Sequence, residues 1–195
     1  MTKTVEFYFD VGSPTAYLAH NRLQQLQKQY NCVIEYRPVL LGGLFKATGN
    51  SAPAMVPAKG RYMERDDMPR FAKLYDVPLN SNPHFPINTL NLMRGAVATL
   101  GGEHFDAYID VVFNAIWVES KNMGDMDTVI EVLSTAGLNA PAILASTQDA
   151  EVKAKLISNT QEAVERGLFG APTMFVDGEM FFGQDRLQFV EAALQ

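Results

Sequence analysis

The chain has 195 residues, of which 47% are hydrophobic and 19% charged, so its composition is that of a globular protein with one domain or two small ones. Its 16 basic and 22 acidic residues give a net charge of −6, which argues against a nucleic-acid partner because phosphate binding requires clustered Lys and Arg. No apolar run is long enough to cross a bilayer, and the N-terminus has no signal-peptide pattern. We therefore expect a cytoplasmic protein with no membrane and no nucleic-acid partner.

A strand, a helix and a second strand are predicted at the start of the chain. Residues 5–10 form a short aromatic-rich strand pattern, and apolar residues recur at helical spacing over 17–30. Ser13 followed by Pro14 is a helix-start signal, because the serine hydroxyl caps orphan amides and a first-turn proline loses no hydrogen bond. The second strand pattern, 32–37, completes a β-α-β unit with parallel strands.

The middle of the chain, from about 42 to 167, has helical periodicity and almost no strand signal. Prolines fall between the helical patterns, where helices should break. The predicted helices cover residues 43–48, 58–75, 87–100, 104–118, 125–136 and 149–166.

The last part of the chain returns to strands. Two apolar runs, 173–176 and 180–182, flank Asp177 and Gly178, and Asp-Gly between such runs is a hairpin signal because glycine takes positive φ without strain. A final helix is predicted over 185–194. The order of elements predicts an α/β fold with a long helical block inside it.

The cysteine and the histidines limit the possible chemistry. The single cysteine, Cys32, rules out an intrachain disulfide or a CxxC pair, and we interpret it as a buried, inert thiol within a strand. His20, His84 and His104 have no metal-ligand spacing, so we predict no metal site. We interpret His20, on the first helix, as a surface or packing residue.

Ser13 is the first candidate for chemistry. A helix N-terminus presents unpaired amides and a partial positive charge, which stabilise an anion and lower the pKa of a thiol held there. A serine at this position cannot form a disulfide, but its hydroxyl can donate a hydrogen bond to a thiolate carried by another molecule. The alternative is that Ser13 is only the N-cap of the helix.

Two segments near the C-terminus are further candidates. Pro172 directly precedes a strand, where a proline is ordinarily a trans boundary residue. A cis bond would instead leave the backbone of Ala171 exposed for pairing with an extended peptide. Asp185 is a good helix cap, but with Gln184 it could also hold the amino and carboxylate ends of a γ-glutamyl group.

Three residues have ordinary interpretations from the local pattern alone. Asn50 is typical of a turn, Lys59 is typical of a solvated surface, and Trp117 is either a core residue or part of an apolar pocket wall.

Four segments, in this order, resemble the motifs of 2-hydroxychromene-2-carboxylate isomerases and kappa-class glutathione transferases. They are FYFDVGSPTAYL at 7–18, GN at 49–50 with PAMVPAKGRYM at 53–63, FGAPTMF at 169–175, and FGQDRL at 182–187. The resemblance extends over nearly the whole chain. It implies a thioredoxin-like domain formed by 1–58 and 168–195, an inserted all-helical domain over 59–167, and a homodimer.

The resemblance also implies roles for individual residues. Ser13 would replace a catalytic cysteine and hydrogen-bond the sulfur of glutathione, the implied cofactor. Ala171 would precede a cis Pro172 and pair its backbone with the cysteinyl part of glutathione. The γ-glutamyl end would bind at Gln184 and Asp185, glutathione or the substrate at Asn50 and Lys59, and the aromatic substrate near Tyr17 and Trp117. Gly12 departs from the family pattern, in which a bulkier apolar residue is usual, and so would widen the pocket.

Three functions follow, in order of preference. The first is a glutathione-dependent isomerase of 2-hydroxychromene-2-carboxylate or a related aromatic acid, in which the thiolate adds reversibly to a conjugated carbon. The second is a kappa-type glutathione transferase or peroxidase. The third, a thiol-disulfide oxidoreductase or a non-catalytic binding module, is disfavoured because Ser13 and Ala16 stand where CxxC thiols would be.

Overall fold

The computed structural model describes residues 2–195, and one mixed four-stranded sheet organises them. The strands are β1 (Thr4–Phe9), β2 (Val33–Pro38), β3 (Thr173–Val176) and β4 (Glu179–Phe182), in the spatial order β2-β1-β3-β4. β1 pairs in parallel with β2 and antiparallel with β3, which forms a hairpin with β4. The predicted α/β fold, its parallel opening unit and its Asp-Gly hairpin are therefore confirmed.

Helices surround the sheet, and most of them lie between β2 and β3 along the chain. Their bounds are α1 (Pro14–Tyr30), α2 (Leu41–Thr48), α3 (Pro57–Tyr62), α4 (Met68–Tyr75), α5 (Leu90–Thr99), α6 (Phe105–Trp117), α7 (Met126–Thr135), α8 (Ala140–Ser146), α9 (Ala150–Glu165) and α10 (Leu187–Leu194). The helical block predicted for the middle of the chain is confirmed. The division into domains at 58/59 and 167/168 stays a prediction.

The structure corrects several of the predicted helix boundaries. The helix predicted over 87–100 begins only at Leu90, as α5. The helix predicted over 58–75 is two helices, α3 and α4, joined by a π-helical turn at Met63–Asp67. A 3-10 turn, Pro53–Met55, lies where we expected a loop. The helix predicted over 185–194 begins as a 3-10 turn, Gln184–Arg186, before α10.

Helix α8 was not predicted, because we treated Pro141 as a break between helices. Pro141 instead lies in the first turn of α8, where its missing N–H has no intrahelical partner to lose. The Asn139 side chain caps this turn by accepting a hydrogen bond from the N–H of Ala142 at 3.1 Å.

The aromatic β1 is buried on both faces. Phe7 and Phe9 belong to the main apolar core beneath α1, whereas Tyr8 packs with Phe175 in a second, smaller cluster on the other face. Alternating side chains point to opposite faces of a strand, so the burial of Tyr8 as well as Phe7 and Phe9 indicates that the C-terminal half of β1 is covered on each side. This packing holds the C-terminal end of β1 in place, and from there the chain turns to Ser13 and enters α1.

Cys32 and His20 lie inside the protein. Cys32 lies immediately before β2 and not within a strand as predicted, but it is buried, and burial raises the pKa of its thiol, in agreement with an inert cysteine. His20 is a packing residue, with Nε2 2.8 Å from Asp110 Oδ1 and Nδ1 3.1 Å from the Tyr36 hydroxyl. Over residues 2–195, no helix has the length and apolar character needed to cross a bilayer, and no cluster of His, Cys, Asp and Glu is arranged to hold a metal ion.

Candidate functional site

A cavity of about 790 Å³ lies where the start of α1, the loops around β3 and β4, and the segment from Asn50 to Pro69 meet. Its volume is within the range of small-molecule sites. Seven of the predicted site residues line it: Ser13, Asn50, Trp117, Ala171, Pro172, Gln184 and Asp185. The fold thus brings together residues that are far apart in the chain.

Ser13 is both the N-cap of α1 and part of the cavity wall. Its Oγ accepts a hydrogen bond from the N–H of Ala16 at 3.1 Å and donates one to the carbonyl oxygen of Ala171 at 3.1 Å. The same oxygen lies 2.9 Å from Oγ1 of Thr15. The two interpretations of Ser13 are therefore compatible, because a capping hydroxyl at a helix start also lies where an anion is stabilised.

The loop before β3 lies against Ser13. The Ala171–Pro172 peptide bond is cis, as the resemblance implied. The Pro172 carbonyl accepts a hydrogen bond from the N–H of Gly183 at 3.0 Å, so this loop is also bonded to the segment that carries Gln184 and Asp185. Three of the four motifs therefore meet at one end of the cavity.

A buried carboxyl group shapes the turn between β1 and α1. Asp10 is 1% exposed, and its two carboxyl oxygens accept hydrogen bonds from the N–H groups of Gly12 (2.9 Å) and Leu41 (2.8 Å). Burial raises the pKa of the Asp10 carboxyl, and the amides of Leu41 and Gly12 oppose that change. Asp10 thereby ties the start of α1 to the start of α2.

Packing explains why position 12 is a glycine, which the sequence did not show. A Cβ atom at this position would lie 2.8 Å from Cγ2 of Thr89, closer than a carbon–carbon contact allows. The glycine thus makes room for the Thr89 methyl group.

The polar residues at the cavity wall have partners within the protein. The Asn50 side chain donates a hydrogen bond to the carbonyl of Phe169 at 2.8 Å. The Asp185 carboxylate is paired with the Arg186 guanidinium. Gln184 is buried, and its backbone carbonyl accepts a hydrogen bond from the Tyr75 hydroxyl at 2.6 Å. A ligand that binds here must add to these contacts or replace them.

Trp117 is at once a core residue and part of the wall. It is 4% exposed, its Nε1 donates to the carbonyl of Val11 at 2.8 Å, and its ring centroid lies 5.7 Å from that of Phe85. Both rings line the cavity and give it an apolar side.

Two of the predicted site residues do not line the cavity. Tyr17 is buried in the core, where its hydroxyl donates to the carbonyl of Pro78 at 2.7 Å and burial raises its pKa to about 12. The prediction that Tyr17 lines the substrate pocket is therefore corrected. Lys59 and Arg61 are both exposed residues of α3, but only Arg61 lines the cavity.

Arg61 is the one Lys or Arg among the described residues that line the cavity. Within residues 2–195, no carboxylate oxygen lies within 4 Å of its guanidinium. Glu64, also on the wall, uses its carboxylate to accept a hydrogen bond from the Ser81 hydroxyl at 2.8 Å. The cavity thus presents one cation that has no anionic partner in this part of the molecule.

Comparison with known proteins agrees with this geometry. Residues 4–195 match the model of the DSBA-like thioredoxin domain. A 2-hydroxychromene-2-carboxylate isomerase from Sphingobium xenophagum is 34% identical over 100% of this chain and 99% of its own length. Glutathione S-transferase kappa 1 from Rattus norvegicus is 31% identical over 95% of this chain and 88% of its own length.

The chain belongs to the family of 2-hydroxychromene-2-carboxylate isomerases and kappa-class glutathione transferases. The structure of a 2-hydroxychromene-2-carboxylate isomerase superimposes with a TM-score of 0.87 at 32% identity, over 98% of this chain and 94% of that one. A probable DsbA oxidoreductase from Streptomyces coelicolor, 18% identical, has a TM-score of 0.77 over 98% of this chain and 88% of that one, and shares the fold. The thioredoxin-like fold and the resemblance are confirmed, and members of this family are enzymes.

The wall residues that the sequence analysis did not predict include Thr15, Arg61 and Phe85. Thr15 and Arg61 lie inside the motifs that resemble the family. The signal for Thr15 was a polar side chain close to Ser13, and the signal for Arg61 was a second cation close to Lys59. Phe85 lies in an irregular segment between α4 and α5, where neither periodicity nor a motif indicates which side chains face the cavity.

Proposed function

We propose that the chain is a glutathione-dependent isomerase of 2-hydroxychromene-2-carboxylate or a related aromatic acid. The observation that carries this proposal is the position of Ser13, whose hydroxyl lies at the start of α1, on the cavity wall, 3.1 Å from the Ala171 carbonyl. The names of the relatives that cover almost the whole chain support the same class of reaction.

Glutathione fits the polar end of the cavity. Its cysteinyl backbone would pair with Ala171, in the manner of a peptide added to a strand edge. The sulfur would then lie at the Ser13 hydroxyl, where the helix N-terminus favours the thiolate. Its γ-glutamyl end would reach Gln184 and Asp185, which requires the Asp185 carboxylate to exchange Arg186 for the ligand's ammonium group.

Arg61 gives the cavity a place for a carboxylate, either that of the glycyl end of glutathione or that of the aromatic acid. A guanidinium recognises a carboxylate through two parallel hydrogen bonds, and Arg61 has no such partner among residues 2–195. We assign to Arg61 the role that the family resemblance gave to Lys59. Asn50, on the adjacent wall, would contact the same ligand.

The apolar side of the cavity would hold the aromatic ring against Trp117 and Phe85. The thiolate would add to a conjugated carbon of the ring-opening substrate, which turns the double bond into a single bond. Rotation about that bond and expulsion of the thiolate restore the double bond in the other geometry. Glutathione is regenerated, so the protein needs to stabilise the thiolate and does not need an oxidant.

A kappa-type glutathione transferase or peroxidase is the second candidate, because the kappa relatives match over nearly the same length of chain. It would use the same thiolate site and retain the adduct as product. A thiol-disulfide oxidoreductase is disfavoured, since Ser13 and Ala16 stand at the positions of the two thiols and Cys32 is buried elsewhere. We further propose a cytoplasmic homodimer.

The test is ultraviolet spectroscopy of 2-hydroxychromene-2-carboxylate with the protein, with and without glutathione, together with a free-thiol assay. Glutathione-dependent formation of the trans ring-opened pyruvate without loss of thiol would establish an isomerase. Loss of thiol with formation of an adduct would instead indicate the transferase. If glutathione neither binds nor changes the rate, the glutathione site itself is wrong.

A further inference from the structure

Thr15 is placed to control the direction in which the Ser13 hydroxyl donates its proton. Its Oγ1 lies 2.9 Å from Ser13 Oγ, and both residues line the cavity. Thr15 is half-buried in the first turn of α1, so its hydroxyl is held close to the serine by the helix backbone.

Counting protons around Ser13 Oγ assigns the donor in this contact. A serine hydroxyl has one proton and two lone pairs. The Ala16 N–H donates to Oγ at 3.1 Å, and the Ala171 carbonyl, also at 3.1 Å, can only accept. When Ser13 donates to Ala171, all three contacts are satisfied only if Thr15 donates to Ser13. Two donors then occupy the lone pairs of Ser13, and its single proton has one direction left.

Glutathione docking would change the partner of that proton. This step rests on the proposed function, in which the cysteinyl backbone pairs with Ala171. A ligand N–H that donates to the Ala171 carbonyl weakens the hydrogen bond that this oxygen accepts from the Ser13 hydroxyl. The nearby thiolate is charged and is therefore the stronger acceptor.

We propose that Thr15 is a positioning residue for the glutathione thiolate. By donating to Ser13, it keeps the serine proton directed towards the Ala171 carbonyl on the cavity wall. Docking of the cysteinyl backbone on Ala171 then transfers the serine's hydrogen bond from the carbonyl to the sulfur. Ser13 keeps its proton throughout, and the thiol proton of glutathione leaves to solvent.

The test compares variants that remove or keep the Thr15 hydroxyl. Thr15→Val preserves the shape of the side chain without the hydroxyl, whereas Thr15→Ser keeps a hydroxyl. Thr99→Val is a matched control, because Thr99 is also half-buried and its hydroxyl donates to the Gly95 carbonyl at 2.9 Å, away from the cavity wall. The measurement is the ultraviolet absorbance of enzyme-bound glutathione thiolate as a function of pH, with glutathione affinity from calorimetry.

We expect Thr15→Val to raise the apparent pKa of bound glutathione by about 0.5 to 1, which lowers turnover at neutral pH by about three- to tenfold and less at alkaline pH. Thr15→Ser should titrate close to the wild type, and Thr99→Val should not differ from it. If Thr15→Val fails to fold, Thr15→Ala provides the same comparison without the branched side chain.

Three results would overturn the inference. One is an unchanged titration in the variants that lack the hydroxyl, in conditions where Ser13→Ala does shift it. Another is an equal loss of turnover in Thr15→Val and Thr15→Ser at every pH, which would indicate that Thr15 has a structural role only. The third, absence of bound thiolate in the wild type, would remove the proposed function as well and is thus distinguishable from the other two.

Discussion

The Thr89 methyl carbon lies 2.8 Å from the position that a Cβ on Gly12 would occupy, immediately before the serine of the candidate site. Overpacking of this kind forces side chains or backbone to move, at a typical cost of about 1–3 kcal/mol. We therefore expect Gly12→Ala to lower the free energy of unfolding by that amount.

A double-mutant cycle tests the contact directly. Thr89→Ser removes the methyl group and keeps the hydroxyl, so Gly12→Ala should cost much less in that background. Urea unfolding of the four proteins gives the coupling energy. Additive effects of the two substitutions would show that the Gly12–Thr89 contact is not the cause.

Ser13→Ala tests the central residue of the site. Removing a donor that stabilises a developing or resting anion typically lowers turnover by about 10²- to 10³-fold. The loss of the N-cap alone costs about 1 kcal/mol of stability. Steady-state kinetics with glutathione and far-ultraviolet circular dichroism measure the two effects separately.

Asn139→Ala is the matched control for the capping role. Asn139 caps α8 as Ser13 caps α1, with its side chain accepting a backbone N–H at 3.1 Å, but it does not line the cavity. This variant should lose comparable stability and keep its activity. An equal loss of activity in both variants would mean that Ser13 acts only through folding.

Arg61→Met and Lys59→Met separate the residue that lines the cavity from the residue that the family motif indicated. Loss of a guanidinium–carboxylate contact should raise the KM of the anionic ligand about tenfold or more, whereas loss of an exposed lysine should change it little. Kinetics with glutathione varied at fixed substrate, and the reverse, show which ligand's carboxylate Arg61 binds. A larger effect at Lys59 would restore the motif-based assignment.

Glu6 should make stability depend on pH in the acid range. The hydrogen bond from Arg166, with the nearby charges of Arg166 and Arg37, lowers the pKa of Glu6 below its ordinary value of 4.5 despite partial burial. Because the folded-state pKa is the lower one, this stabilisation is fully present above about pH 4.5 and is lost as pH falls through the folded-state value.

Glu6→Gln should therefore cost about 1–2 kcal/mol at neutral pH, and the difference from the wild type should shrink as the solution is acidified. Glu35→Gln is the control, because Glu35 pairs with Arg37 at 2.7 Å but is about half exposed and should contribute less than about 1 kcal/mol. Thermal or urea unfolding across the pH range measures both. If the free energy of unfolding of Glu6→Gln differs from that of the wild type by the same amount at all pH values, the role of the Glu6 carboxylate is contradicted.

The features of the fold around the site that the sequence predicted correctly depend on local backbone chemistry. Ser13 before Pro14 specifies a helix start wherever it occurs, and the Asp177-Gly178 turn specifies a hairpin. The cis bond before Pro172 did not follow from local rules, which favour trans, and came from the family resemblance.

The sequence did not predict which side chains reach the cavity where this depends on contacts between distant segments. Tyr17 has a hydrogen-bond partner 61 residues away, at Pro78, which no periodicity can indicate. Whether Lys59 or Arg61 faces the cavity depends on how α3 docks and on the π-helical turn that follows it. Pro141 shows a different error, since a proline that we interpreted as a break between helices lies in the first turn of α8.

The segment from Pro53 to Asp67 forms much of one cavity wall, yet none of its helical turns contains a buried side chain. Selection can therefore alter the chemistry of that wall with little penalty in folding, while the serine, the cis-proline loop and the core remain fixed. Gly60 is the exception, because a Cβ there would lie 2.9 Å from the Ala54 carbonyl oxygen. A library that varies this segment and spares Gly60 and Arg61 is thus a direct route to new substrates for an unchanged thiolate centre.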